Sequence, residues 1–172
     1  MKAHLILDCS STQSGVHFGE TATTVVGQTA VKMVLAWAAG VRVRVYSLDI
    51  TQAFLSAPVD LEDFYTELLE FTAEMHANPA LYGVGRSSPH VGQLHKSLYG
   101  LKDSPRNFQR YFQGVLMNVG VTVLSCDRNV FKWAREGEEL RGCVHVNDVL
   151  FAGGTRNRGE FTSRIRAVID IV

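Results

Sequence analysis

The chain has no run approaching the roughly eighteen apolar residues that a membrane helix needs, and Met1-Lys2-Ala3-His4 leads into only a short apolar stretch before Asp8. Neither a membrane span nor a signal peptide is therefore expected. The expected setting is intracellular, with no membrane partner and no choice between cytoplasm and nucleus. Cysteine is scarce as well. Cys9, Cys126 and Cys143 are far apart, odd in number and form no CxxC pair, which argues against a disulfide framework or a zinc site and for reduced thiols. Net charge is also missing: 17 basic side chains meet 17 acidic ones, so any surface for nucleic acid has to arise by local segregation. Arg156, Arg158, Arg164 and Arg166, against Glu160 and Asp170, form one such stretch, although the solvated face of a terminal helix is the favoured reading of it. What remains is a globular composition, 46% hydrophobic and 20% charged over 172 residues, enough for one domain with a core and without internal repeats.

Periodicity sets the expected elements. Ala3 to Leu7 reads as a short strand and Cys9 to Thr24 as loop. Val31, Val34, Leu35 and Ala38 recur on one helical face between Thr29 and Ala39, with Gly40 placed to end that helix. Val41 to Tyr46 alternates as a strand with one buried face, so helix and strand should pack as a helix-on-sheet layer. From Pro58 to Pro89 the pattern weakens into a peripheral connection with no assigned structure, in which part of Leu61 to His76 could form a helix. After Pro105, the residues Phe108, Tyr111, Phe112, Val115, Leu116 and Val119 mark a long amphipathic helix closed by Gly120. Val130 to Ala134 and Gly142 to Val146 read as strands around a Glu136 to Glu139 turn. Asn147-Asp148 is placed as a two-residue hairpin loop before Val149 to Ala152. Phe161 to Val172 returns to a helical period.

Asp49 and Asp148 are the candidate chemistry. A carboxylate at a strand end and another on a hairpin can meet if the strands are neighbours, and such a pair suits magnesium, a hard cation that prefers oxygen. From spacing alone the signal is weak, and a solvated turn aspartate is the ordinary reading of each.

A resemblance adds to this. Ser47-Leu48-Asp49-Ile50-Thr51-Gln52-Ala53-Phe54-Leu55 resembles the first palm motif of copia-type retrotransposon reverse transcriptases, in which an aspartate opens a run ending in AFL. The stretch from His95 to Arg106, HKSLYGLKDSPR, is similar to the family's SLYGLK block, and Val144-His145-Val146-Asn147-Asp148-Val149-Leu150 is similar to its tyrosine-valine-Asp-Asp block. Gly15 to Thr21 and Lys2 to Leu5 match more loosely, so the likeness touches nearly the whole chain except residues 60 to 90.

The resemblance implies an α/β (α+β) fold, a palm-like antiparallel sheet backed by helices and truncated, with residues 1–27 a partial fingers segment and 28–172 a palm fragment interrupted by a variable connection at about 58–92. It implies RNA-directed DNA synthesis within a Pol polyprotein, with template-primer and deoxynucleoside triphosphate as partners and thumb and ribonuclease H domains elsewhere in the polyprotein. Two Mg2+ ions would be held by Asp49, Asp148 and the position of Asn147, one activating the primer hydroxyl and the other holding the triphosphate. Gln52, Ala53, Phe54 and Lys102 would lie at the nucleotide, with Phe54 under the sugar or simply in the core. Tyr99 and Arg106 would lie at template or primer, and Lys102 and Arg106 read equally as surface charges at a helix start.

This sequence departs from the family pattern at several signature positions. Asn147 stands where the hairpin has its first acid, His145 where it has tyrosine, His4 where the last fingers strand has arginine, and Thr24 where a proline is usual. An amide lacks the full negative charge that two close cations require. The expectation is a degenerate polymerase domain with little or no activity; the alternative is a catalytically dead remnant serving as a nucleic-acid-binding or protein-interaction module.

Overall fold

Val34 and Ala38, one helical turn apart, are the buried positions of α1 (Gln28–Val41). In the computed structural model, which describes residues 6–10, 12–13, 18, 21–60, 65–67 and 91–172, this helix lies against one face of an antiparallel sheet. It runs past Gly40, which was expected to stop it, and Arg42 takes the left-handed cap at φ 58. The cause lies one residue on: Val43 donates its N–H to the Ala38 carbonyl at 3.0 Å and packs with Ala38, which fixes the turn at Arg42.

The sheet contains β1 (Arg44–Asp49), β4 (Thr122–Val123), β5 (Val130–Arg135), β6 (Glu138–His145) and β7 (Asp148–Gly153), in the order β1-β7-β6-β5-β4. Strand β1 starts later than the alternation suggested, and its dominant buried side is the other one. Tyr46 and Leu48 face the larger core while Val45 is exposed, because α1 covers its side of the sheet only as far as Val43. A central strand covered on both faces reads as an unbroken apolar run, and β7 is one: Val149 and Phe151 face the larger core, Leu150 and Ala152 the α1 side.

The β5–β6 turn is Glu136-Gly137, both with positive φ, the two-residue loop whose twist suits a hairpin. Within β6, Gly142 sits between Phe131 and Phe151 in the ladder. A Cβ there would run into the Phe131 ring and lie 2.7 Å from the Leu150 carbonyl, so the aromatic row requires glycine.

The second face is covered by α3 (Ser104–Asn118) and α4 (Thr155–Arg166). Pro105 sits in the first turn of α3, where a missing N–H costs nothing, and Gly120 takes φ 88 just beyond its end. As the spacing predicts, α3 buries Phe108, Phe112, Val115 and Leu116, with Tyr111 half-buried and Arg110 and Asn118 exposed. Phe161 and Ile165 anchor α4. Its arginines are largely engaged: Arg164 pairs with Glu160 on the same helix, Arg156 with Glu136 in the β5–β6 turn, and Arg158 lies 4.9 Å from the Tyr46 ring on β1.

The last residues correct the expected terminal helix. Instead of staying helical to Val172, the chain extends along the outer edge of β1, where Asp49 and Val172 exchange backbone hydrogen bonds and Thr51 donates to the Asp170 carbonyl. Among the described residues, no other strand satisfies those edge groups of β1. In the connection, to which the periodicity assigns no structure, β2 (Tyr65–Glu67) pairs with β3 (Val91–Gln93). The remainder of Leu61 to His76, like Ala3 to Leu5 and His4, lies outside the described residues. Between β1 and β2 is the short helix α2 (Ala53–Ser56). Among the described residues, no helix is long and apolar enough to cross a membrane.

Candidate active site

Antiparallel register brings the two aspartates together. Tyr46 pairs with Phe151, Leu48 with Val149, and Asp49 with Asp148 at the ends of β1 and β7. Since Leu48 and Val149 face the larger core, alternation turns both aspartates to the α1 side, beyond the helix and exposed. Directly opposed side chains on one face have Cβ atoms roughly 4.5–5.5 Å apart. His145, opposite Asp148 on β6, falls in the same cross-strand row.

The loop at the corner is one residue earlier than expected. Val146 and Asn147 form it and Asp148 already belongs to the ladder, paired with His145. Val146 has φ 56, a conformation that costs a β-branched residue. Asn147 clasps β1 with two groups: its backbone carbonyl accepts the Ile50 N–H at 2.9 Å, and its side-chain Nδ2 donates to Asp49 Oδ1 at 2.5 Å. The neighbouring row on this side holds Ser47, Leu150 and Cys143. Burial, reinforced by the charge of Asp127, pushes the Cys143 thiol up to about 11, so it stays protonated and is no nucleophile at neutral pH.

The other candidate residues distribute unevenly. Gln52 takes φ 51 immediately before α2 and is exposed; Ala53, the first residue of α2, is buried. Phe54 is half-buried against Tyr99 (ring centroids 5.0 Å) and Phe108 (6.3 Å), which makes it part of the core whatever else it contacts. The Tyr99 carbonyl accepts the Leu7 N–H at 2.8 Å, and the next residue, Gly100, has φ 98 in a place where a Cβ would strike the Leu7 carbonyl. Lys102 is exposed with its ammonium 4.8 Å from the Phe18 ring. Arg106 and Arg110 share the Asp60 carboxylate at 2.7 and 2.9 Å. The hairpin residues and the Asp49 to Phe54 segment thus adjoin one another, while Lys102 and Arg106 are engaged with Phe18 and Asp60.

Sequence reading missed a polar latch. Gln109 on α3 donates to Thr24 and to Asn129, and Asn129 donates to Thr24 as well, tying the segment before α1 to α3 and to the start of β5. Thr24, one of the departures from the family pattern, supplies both its hydroxyl and its N–H to this network, groups that a proline lacks.

An antiparallel sheet backed by helices, with acidic residues in register at the joined ends of an edge strand and a hairpin, is consistent with the fold of a nucleic-acid polymerase. The model of the reverse transcriptase (RNA-dependent DNA polymerase) family matches residues 1–163, and the chain belongs to that family. It is 29% identical over 153 residues to the retrovirus-related Pol polyprotein from transposon TNT 1-94 of Nicotiana tabacum, and 27% identical over 152 residues to that from transposon RE1 of Arabidopsis thaliana. Each alignment covers 88% of this chain, which spans 11% and 10% of those polyproteins. No solved structure matches the chain. It is a reverse-transcriptase domain segment of a copia-like retrotransposon.

The chemistry of this family is magnesium-dependent, and the donor set here fits a two-ion centre poorly. Asn147 turns an N–H donor toward Asp49, and among the described residues no three His, Cys, Asp or Glu side chains converge to hold a metal ion. Asp49 and Asp148 would supply two of the three negative charges needed to offset the repulsion of two adjacent cations.

Proposed function

We propose that residues 28–172 form the palm of a copia-type RNA-directed DNA polymerase, preceded by a fingers segment at 1–27 and interrupted by a connection at about 58–92, and that this palm does not polymerise. Asp49 and Asp148 are its two remaining catalytic carboxylates. Gln52, Ala53, Phe54 and Lys102 serve the nucleotide, and Tyr99 and Arg106 the template and primer. Template-primer and deoxynucleoside triphosphate are the ligands of the family fold. The reading rests on one observation: the amide of Asn147 occupies the third acid's position and donates to Asp49, leaving the corner one charge short.

Primer extension on an RNA template with Mg2+ tests this. The purified chain should incorporate nothing, and Asn147→Asp alone should not restore synthesis, because the primer terminus must also be held near ~3–3.5 Å from the phosphorus by contacts outside the palm. Placed between fingers and thumb of an active relative, the Asn147→Asp palm should extend primers while the unmodified palm should not. Template-dependent synthesis by the unmodified chain, abolished by Asp49→Ala, would overturn the reading.

A further inference from the structure

The amide of Asn147 has two chemically opposite ends, and only one can face Asp49. With Nδ2 toward Asp49 Oδ1, as found, the side chain closes a hydrogen bond across the end of β1 and β7. With Oδ1 turned in instead, it would offer an acceptor to a shared cation but would set an oxygen against the carboxylate and lose that bond. Holding Asp49 and sharing a cation with it are therefore alternatives.

From this we infer that Asn147 is a metal-independent clasp, doing at this corner the structural work of a bound cation. The inference rests on the reading of Asp49, Asn147 and Asp148 as the ion-binding corner of the palm. Asp49 and Asp148 are opposed on one face, an arrangement of like charges that destabilises a strand pair. A cation would offset that repulsion; here the offset comes from a neutral donor on the hairpin. Asn147 is suited to it because its backbone is already fixed: its carbonyl accepts the Ile50 N–H at 2.9 Å, continuing the register of the β1–β7 ladder by one pair. The side chain thus starts from an anchored residue and gives up little freedom in reaching Asp49. An aspartate at the same place has no proton to give at neutral pH and adds a third charge, so the clasp becomes a repulsion that only a cation relieves. The substitution changes what the fold needs as well as what the site can do: it releases the sheet corner from cation binding.

The test is thermal unfolding of the 172-residue chain by circular dichroism, in chelator and in millimolar Mg2+ or Mn2+, alongside Mn2+ titration followed by electron paramagnetic resonance. The parent Tm should be the same with chelator and cation, and the titration should show no bound Mn2+. Asn147→Ala should lower Tm by about 2–4 °C, the shift expected for a loss near 1 kcal/mol in a domain of this size, again without cation dependence. Asn147→Asp should lower Tm in chelator, recover with Mn2+, and bind Mn2+ in the titration. A parent Tm that rises with Mn2+, Mn2+ binding by the parent that Asp49→Ala removes, or an Asn147→Ala variant as stable as the parent would each overturn the clasp. Failure here is distinguishable from failure of the functional reading. A chain that extends primers refutes inactivity, whereas an inactive chain stabilised by Mn2+ refutes only the clasp.

Discussion

Phe161 is where α4 is held to the sheet, and its removal has a calculable effect. Its side chain is 0% exposed, and its ring centroid lies 5.0 Å from that of Phe151 on β7, 5.6 Å from Phe131 on β5 and 6.0 Å from Trp133. Truncating a buried phenylalanine to alanine costs about 3–5 kcal/mol through lost burial and the cavity left behind. Each well-disposed ring pair adds about 0.5–1.5 kcal/mol beyond burial, and with three ring neighbours Phe161→Ala belongs at the upper end of that range. Against a total stability of about 5–15 kcal/mol, this is a third or more of what a typical domain has. Phe161→Leu separates the contributions, since it keeps much of the volume and loses the rings' mutual geometry. It should fall between the parent and Phe161→Ala. Urea titration followed by far-ultraviolet circular dichroism and by tryptophan fluorescence, with Trp133 in the affected cluster, gives both numbers. The reasoning fails if Phe161→Ala lies within about 1 kcal/mol of the parent at unchanged m-value, because a surface-like effect cannot come from a filled aromatic cluster.

Val146 carries φ 56 in a hairpin loop, so Val146→Gly should stabilise the chain, by about 1 kcal/mol once the greater freedom of glycine in the unfolded state is subtracted, read as a rise in urea midpoint; a fall would show that the Val146 side chain contributes more than its backbone costs. Iodoacetamide at pH 8 should label exposed Cys126 in the native chain and Cys143 only in denaturant, as seen by mass spectrometry of the peptides. The Cys143 thiol is pushed above its unfolded value by burial, so its contribution to stability is complete below pH ~9 and is lost as pH rises through about 11; alkaline unfolding that does not change in Cys143→Ala would count against this.

Much of the palm was legible because its elements carry their own local signals. The α3 stripe from Phe108 to Val119, bounded by Pro105 and Gly120, appears where the spacing places it, and the strands around Glu136-Gly137 follow from a turn that needs positive φ. Element ends were less legible. Gly40 looks like a helix stop, yet the stop is set by Val43 meeting the Ala38 carbonyl, a contact that exists only once the chain has turned. Ile165, Ile169 and Val172 fit a helical period, but the open edge of β1 draws residues 170–172 into extended pairing, a demand made by a strand more than a hundred residues earlier. At the site, the resemblance supplied Asp49, Asn147 and Asp148, and the shared register joined them. It could not supply the direction of the Asn147 amide or the Thr24–Gln109–Asn129 latch, since both depend on partners remote in sequence.

Strand order also carries a consequence in time. β6 and β7 are joined by the tight loop at Val146-Asn147 and can zip as a hairpin within about 1–10 μs, whereas the Asn147 to Asp49 contact spans 98 residues and waits for the slow closure of a long loop. The acidic corner should therefore be among the last parts of the sheet to assemble. Until β1 docks, β7 presents an unpaired apolar edge from Val149 to Ala152, so slow docking of one strand prolongs the interval in which the folding chain is open to association with other copies.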